Sequence, residues 1–216
     1  MRIGLPILPL CALICLSMAS GCGSTPPRQY FGMSYSLSDV ESRETPKYPF
    51  TLRIREPDIQ LAFDRSQIVY RYDPYKFKYY NYKFWVAKPQ TMVAELLYRH
   101  LKHTNLFNEV SLVYQREVPD YELHGGIDAI EEYDSGDTWY GHLAMNFRLV
   151  RFSDRKVVWA YRFDETKEVF TREPVYVVRA LSELMDEQMS KMMPSMEAAM
   201  DKEMAAREAG TEGTTK

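Results

Sequence analysis

Apolar and polar residues alternate along much of the chain, and this period of two predicts β-strands. The clearest case is Leu52 and Ile54, which alternate with Arg53 and Arg55 and predict a half-buried strand. Further strand-like runs occupy residues 68–72, 77–85, 110–114, 121–131, 138–152 and 156–169. Turn dipeptides separate them at Asp73-Pro74, Ser135-Gly136 and Ser153-Asp154. We therefore expect a hairpin around Asp73 and an antiparallel meander from Val110 onward.

Two segments have apolar residues at helical spacing instead. The first opens at Pro89, a residue suited to the first turn of a helix, and Asn105 is placed to end it. Its apolar stripe consists of Met92, Val93, Leu96, Leu97 and Leu101. The second opens at Pro174 and is predicted to run to about Arg207, with Pro194 kinking or ending the regular part.

Together these elements predict an α+β fold: a single domain with a mostly antiparallel sheet and two helices packed on one face. We assign the domain to residues 48–207, with a methionine-rich C-terminal helix, and a disordered tail to residues 208–216. Residues 22–47 are predicted to form a tether, with Tyr35-Ser36-Leu37 as a short strand-like island.

Residues 1–21 have the character of a bacterial signal peptide. Arg2 precedes an uncharged apolar stretch that Pro6 and Pro9 interrupt. Ala19-Ser20-Gly21-Cys22 then resembles a lipobox, which makes Cys22 the attachment site for diacylglycerol and a further acyl chain. More than one acyl chain gives stable membrane anchoring. The alternative is an ordinary secretory signal followed by a coincidental cysteine.

The charge composition argues against one class of partner, nucleic acid. The chain has 30 acidic and 27 basic residues and a net charge of −3, with both signs interspersed. A nucleic-acid binder usually carries a basic surface, so we expect no nucleic-acid partner.

Few residues have the spacing of a catalytic or metal site. His100 and His103 are one helical turn apart, but no carboxylate or cysteine accompanies them at ligand spacing, and a structural role is the better interpretation. Glu131, Glu132, Asp134 and Asp137 are interpreted as a solvated acidic turn. We predict no enzyme activity, no metal site and no cofactor apart from the covalent lipid on Cys22.

Aromatic residues are concentrated between residues 70 and 85, where nine of sixteen side chains are aromatic. One interpretation is cross-strand pairing of rings within a hairpin. The other is an exposed patch that contacts a protein partner or an acyl chain. On the second interpretation, the contact residues are Tyr75, Phe77, Tyr79, Tyr80 and Trp85.

Methionine is concentrated in the second helix, since seven of the twelve methionines fall between Met185 and Met204. Flexible, polarizable methionine side chains suit both irregular cores and adaptable binding surfaces. Up to Met192 we expect the helix to pack on the sheet. Beyond Pro194, Met196 and Met200 are candidates for a partner-binding arm.

The order of these features resembles the ABC-type transport auxiliary lipoprotein family, which includes paraquat-inducible-protein-C-like lipoproteins. The resemblance runs from about Tyr35 to Met193. Its residues are the lipobox, Tyr35-Ser36-Leu37, Trp85 before Pro89, Phe107-Asn108-Glu109-Val110 and Leu123-His124-Gly125-Gly126-Ile127. The aromatic insertion at residues 73–82 and the segment after Pro194 depart from the family pattern.

The resemblance implies a non-catalytic lipoprotein at the periplasmic face of the outer membrane of a Gram-negative bacterium. Gly23, rather than Asp, after the lipidated cysteine also favours the outer membrane. The implied partners are a mammalian-cell-entry (MCE) domain protein and an ABC permease and ATPase that move phospholipid or another hydrophobic molecule. Two alternatives remain: an outer-membrane assembly lipoprotein of the lipopolysaccharide-assembly or Tol-associated type, and an envelope hydrolase.

Overall fold

A computed structural model describes residues 25–114 and 118–212. The predicted signal peptide, Cys22 and the end of the predicted tail lie outside these residues. The strands are β1 (Gln29–Phe31), β2 (Tyr48–Ile54), β3 (Asp58–Ile59), β4 (Gln67–Asp73), β5 (Lys76–Trp85), β6 (Phe107–Ser111), β7 (Tyr121–Ser135), β8 (Thr138–Arg151) and β9 (Val157–Val169). The helices are α1 (Pro89–Thr104) and α2 (Pro174–Glu212).

Strand β7 is the centre of one mixed sheet. Along one edge it pairs with β8 in an antiparallel ladder from Tyr121↔Arg151 to Ser135↔Thr138, and β9 pairs with β8 in the same way. Along its other edge, the parallel strands β2, β3 and β4 pair with successive parts of β7. The α+β prediction and the meander of the last three strands are confirmed. Strand β6 does not belong to the meander, because it pairs in parallel with β2.

Both helices lie on one face of the sheet and cover a continuous core, as predicted. Pro89 is at the start of α1, and Asn105 ends it in the left-handed conformation, with φ of 51°. Helix α2 approaches β8 closely at Gly141, where an added Cβ would lie 3.0 Å from the Cβ of Ala180. Only a glycine permits this approach without a shift of the helix.

The segment before β2 contacts the domain. Strand β1 pairs with β5, and Met33 is buried. The Ser34 amide donates a hydrogen bond to the Ser182 hydroxyl of α2 at 3.1 Å, and the Tyr35 hydroxyl lies 3.2 Å from His100 Nδ1 of α1. The strand expected at residues 35–37 is absent from this described segment, and the strand is at Gln29–Phe31 instead. Much of the predicted tether therefore packs between the two helices.

Helix α2 is continuous through Pro194 and extends to Glu212, beyond the end expected near Arg207. Pro194 lies on the exposed side of the helix. Long helices curve with their solvent side convex, so a proline there fits the curvature over the sheet. Two of the residues predicted to bind a partner, Met196 and Met200, have 0% exposure and belong to the core.

Candidate functional site: the hairpin end of the sheet

The hairpin of β4 and β5 contains the aromatic residues that the sequence indicated. The strands pair in an antiparallel ladder through Arg71↔Phe77 and Asp73↔Lys76, and the Tyr75 amide donates a hydrogen bond to Asp73 Oδ1 at 2.8 Å. An aspartate that accepts from the backbone two residues later stabilises a tight turn. The predicted hairpin is therefore confirmed.

The exposure of the rings changes along the hairpin. Tyr75, at the turn, is 90% exposed, and Phe77 is also exposed. Tyr79 is half-buried under the Arg65 guanidinium, which lies 3.5 Å from its ring centroid, and Tyr80 is half-buried as well. Trp85, at the far end of β5, is buried in the core. The rings near the turn are exposed, as the second interpretation requires, and their contact with a partner stays a prediction; Trp85 was wrongly assigned to the surface.

Ion pairs hold the hairpin against the rest of the sheet. Arg71 of β4 donates to the buried carboxylate of Glu131 on β7. His142 Nδ1 of β8 lies 2.9 Å from the same carboxylate, and His142 Nε2 lies 2.8 Å from Asp164 of β9. Burial alone would lower the pKa of His142, but its hydrogen bonds to the two carboxylates raise this pKa above its usual value. This chain of contacts joins four neighbouring strands.

A second pair of carboxylates joins the hairpin to the segment before α2. The Tyr80 hydroxyl donates to Glu132 at 2.8 Å, and Arg172 lies 2.6 Å from Asp134 and 3.4 Å from Glu132. Burial raises the pKa of both carboxyl groups. The interpretation of Glu131, Glu132 and Asp134 as a solvated turn was wrong, because all three are buried on β7.

The two histidines at helical spacing have separate partners. His100 Nδ1 contacts the Tyr35 hydroxyl, and His103 Nε2 lies 3.0 Å from the Val40 carbonyl oxygen. Burial lowers the pKa of His100 to about 4, so it is neutral at pH 7. Both histidines therefore position the N-terminal segment on α1. Within residues 25–114 and 118–212, no group of three or more His, Cys, Asp or Glu side chains is placed so that it could hold a metal ion.

Further exposed apolar residues lie at the same end of the sheet. The register Arg71↔Tyr133, Tyr133↔Tyr140 and Tyr140↔Glu168 places the end of β9 at the same end of the sheet as the hairpin turn, with β7 and β8 between β9 and β4. Phe170, just after β9, is 94% exposed, and Tyr176 is exposed on the first turn of α2. These two residues line an open groove of about 490 Å³. The sequence analysis did not identify either residue as part of a surface. The signal that could have identified Phe170 is its position directly after the alternating strand.

In this structure, neither helix of the described residues has an apolar stretch long enough to cross a membrane.

The mixed sheet with two helices on one face is a fold found in several solved structures. Protein XCC0632 from Xanthomonas campestris is 16% identical with a TM-score of 0.70, over 82% of this chain and 99% of that one. An uncharacterized protein is 9% identical with a TM-score of 0.61, over 79% and 99%. These likenesses show the fold alone.

Lipoprotein GNA1162 from Neisseria meningitidis is a more distant match, 10% identical with a TM-score of 0.40 over 66% of this chain and 99% of that one. Curated proteins yield no match. The family model of the ABC-type transport auxiliary lipoprotein component matches residues 35–192. The chain therefore belongs to this family of lipoproteins of the bacterial cell envelope, in agreement with the resemblance described above.

Proposed function

We propose that this chain is a non-catalytic, lipid-anchored subunit of an ABC transport system that includes an MCE-domain protein. In this role it docks the transporter or its tunnel at the periplasmic face of the outer membrane, while phospholipid or another hydrophobic molecule moves between membranes. The observation that carries the proposal is the family match over residues 35–192, which covers most of the folded domain.

The arrangement of the charged residues supports a structural role for them. Glu131, Glu132 and Asp134 are buried, and their partners lie on nearby strands or in the segment before α2. Breaking such a pair leaves a buried charge without compensation, so these contacts fix the position of the elements they join. The exposed side chains at this end, which include Tyr75, Phe77 and Phe170, are available to contact a partner.

Copurification from intact cells tests the proposal. The chain is crosslinked in growing cells, purified with its membrane fraction and analysed by quantitative mass spectrometry. We expect an MCE-domain protein and an ABC permease to be enriched with the wild-type chain. Recovery of β-barrel assembly or Tol proteins without any transporter subunit would contradict the proposal and favour an assembly lipoprotein.

The matched control is Cys22→Ala, which substitutes no residue of the described domain. If Cys22 carries the lipid, this variant loses palmitate labelling and leaves the membrane fraction, and it no longer enriches the transporter subunits. Palmitate labelling that persists in Cys22→Ala would show that the anchor is elsewhere.

A further inference from the structure

We infer that the hairpin end of the sheet lies on the membrane that holds the lipid anchor, with Tyr75, Phe77 and Phe170 in its interfacial layer and Lys76 and Lys78 next to anionic headgroups. The inference rests on the anchor at Cys22 given above and adds an orientation of the domain that the anchor alone does not determine.

The direction of β1 is the first support. Strand β1 runs parallel to β5, with Gln29 opposite Lys83 and Phe31 opposite Trp85. The chain therefore enters β1 from the side of β5 that leads back to the hairpin turn at Lys76. Arg28 is still beside β5, because its guanidinium carbon lies 5.3 Å from the centroid of the Phe84 ring.

The length of chain before β1 is the second support. Cys22 precedes Gln29 by seven residues, which span at most about 25 Å when extended. Seven residues also separate Lys83 from Lys76, about 23 Å of strand. Pro26 and Pro27 favour an extended chain in this interval. A lipid on Cys22 is therefore within reach of the level of the hairpin turn.

The chemistry of this end fits a lipid surface. Tyrosine and other aromatic side chains are favoured at the level of the headgroups, where the ring is apolar and the hydroxyl remains hydrated. The turn carries Tyr75 at 90% exposure, and Phe170, which follows β9 at the same end of the sheet, is 94% exposed. At the turn itself, the two basic side chains Lys76 and Lys78 are exposed, and Asp73 is the one acidic residue beside them. Basic residues next to apolar ones bind anionic membranes.

A single fluorescent label at each end of the sheet tests this orientation. The full lipidated chain carries either Pro74→Cys, at the hairpin turn, or Val113→Cys. Val113 is exposed, and its neighbour Tyr114 packs under Arg53, which pairs with Glu122. Glu132 pairs in register with Tyr70 of the hairpin and lies ten residues further along β7 than Glu122. Because a strand rises about 3.3 Å per residue, the labels at positions 74 and 113 are more than about 30 Å apart. Each thiol is labelled with an environment-sensitive dye.

The labelled chains are reconstituted into vesicles of phosphatidylethanolamine and phosphatidylglycerol with brominated acyl chains, which quench the dye on contact. We expect a blue shift and loss of most of the emission at position 74, and neither at position 113. Replacing Tyr75 and Phe170 by Ser should restore much of the emission at position 74. The control replacement of Val113 and Val118 by Ser should leave the quenching at position 74 unchanged.

Two results would overturn the inference, and they are distinguishable. Vesicle flotation is measured on the same samples. A chain that does not float has no lipid anchor, which contradicts the anchor and this orientation with it. A chain that floats without quenching at position 74, or with quenching only at position 113, contradicts the orientation alone, and the exposed rings then face a protein partner.

Discussion

The aromatic hairpin at residues 70–85 and the methionine-rich segment at residues 185–204 are both unusual in composition, yet their environments are opposite. The hairpin projects from the end of the sheet, so its rings become exposed toward Tyr75. The methionine-rich segment lies over the sheet, and Met196 and Met200 are fully buried. Enrichment in one residue type therefore does not show by itself whether the side chains are exposed. Their exposure depends on whether the element packs over the sheet or projects from its end.

The largest expected effect comes from the methionine-rich segment. Replacing both Met196 and Met200 by Ala removes two fully buried side chains and leaves cavities under α2. We expect the free energy of unfolding in urea to fall by about 4–10 kcal/mol, since each Met→Ala change in a core costs about 2–5 kcal/mol. Lys202→Ala, on the exposed side of the same helix, is the control and should have little effect.

A smaller effect is expected where the hairpin is attached to the sheet. Glu131→Gln breaks the buried ion pair with Arg71 and should destabilise the domain by about 3–5 kcal/mol. Hydrogen exchange should accelerate first at the amides of β4 and β5. The control is Asp164→Asn, which removes only the exposed partner of His142. If exchange accelerated equally in α2 and in the hairpin, the proposed attachment would be wrong.

The core side of the molecule should also respond to acid through His100. Its pKa is about 4 in the folded chain and about 6.5 when unfolded, so the unfolded chain binds the proton more readily. The stability that neutral His100 contributes is complete above pH 6.5 and is lost as the pH falls toward 4. At pH 5 we expect a loss of about 2 kcal/mol relative to pH 8.

Urea unfolding at several pH values measures this loss. The variant His100→Gln should lack the part of the pH dependence that His100 causes. His142 acts in the opposite direction. Because its pKa is raised, its contribution is complete below pH 6.5 and is lost as the pH rises through the folded pKa. An identical acid response in wild type and His100→Gln would show that His100 is not the group responsible.

The smallest effect on stability is expected at the hairpin turn. Tyr75→Ser changes a side chain with little buried area, so the free energy of unfolding should stay within about 0.5 kcal/mol of the wild-type value. Phe147→Ser, at a buried position of β8, is the contrasting variant and should destabilise strongly. A large loss of stability in Tyr75→Ser would mean that the turn is packed rather than exposed.

Much of this fold was predictable from local patterns. The alternation at residues 138–152 and 156–169 corresponds to β8 and β9, and Pro89 and Asn105 mark the ends of α1. The parallel pairing of β2, β3 and β4 along β7 was not predictable, because it joins residues 60–70 positions apart in the sequence. Glycines inside a strand are typical of a bulge or a close approach, and a Cβ on Gly126 would lie 2.6 Å from Asn146 Nδ2.

The candidate surface was predicted only in part. Local patterns located the aromatic hairpin, but not which of its rings are covered by Arg65, Glu132 and the core. The exposed end also depends on Phe170 and Tyr176, which are distant in sequence and reach the same end of the sheet as the hairpin only through the register of β7, β8 and β9. Long-range register determines which residues share a surface, and a single sequence carries little information about it.

The central structural claim is that the hairpin presents a surface and the methionine-rich segment does not. Thiol reactivity measures this directly in a folded chain of residues 23–216, which contains no cysteine of its own and gives the background when unsubstituted. We predict that Pro74→Cys reacts with a bulky maleimide within minutes, whereas Met200→Cys reacts only after urea is added. Rapid labelling of Met200→Cys in the folded chain, or protection of Pro74→Cys in the purified chain, would contradict the claim.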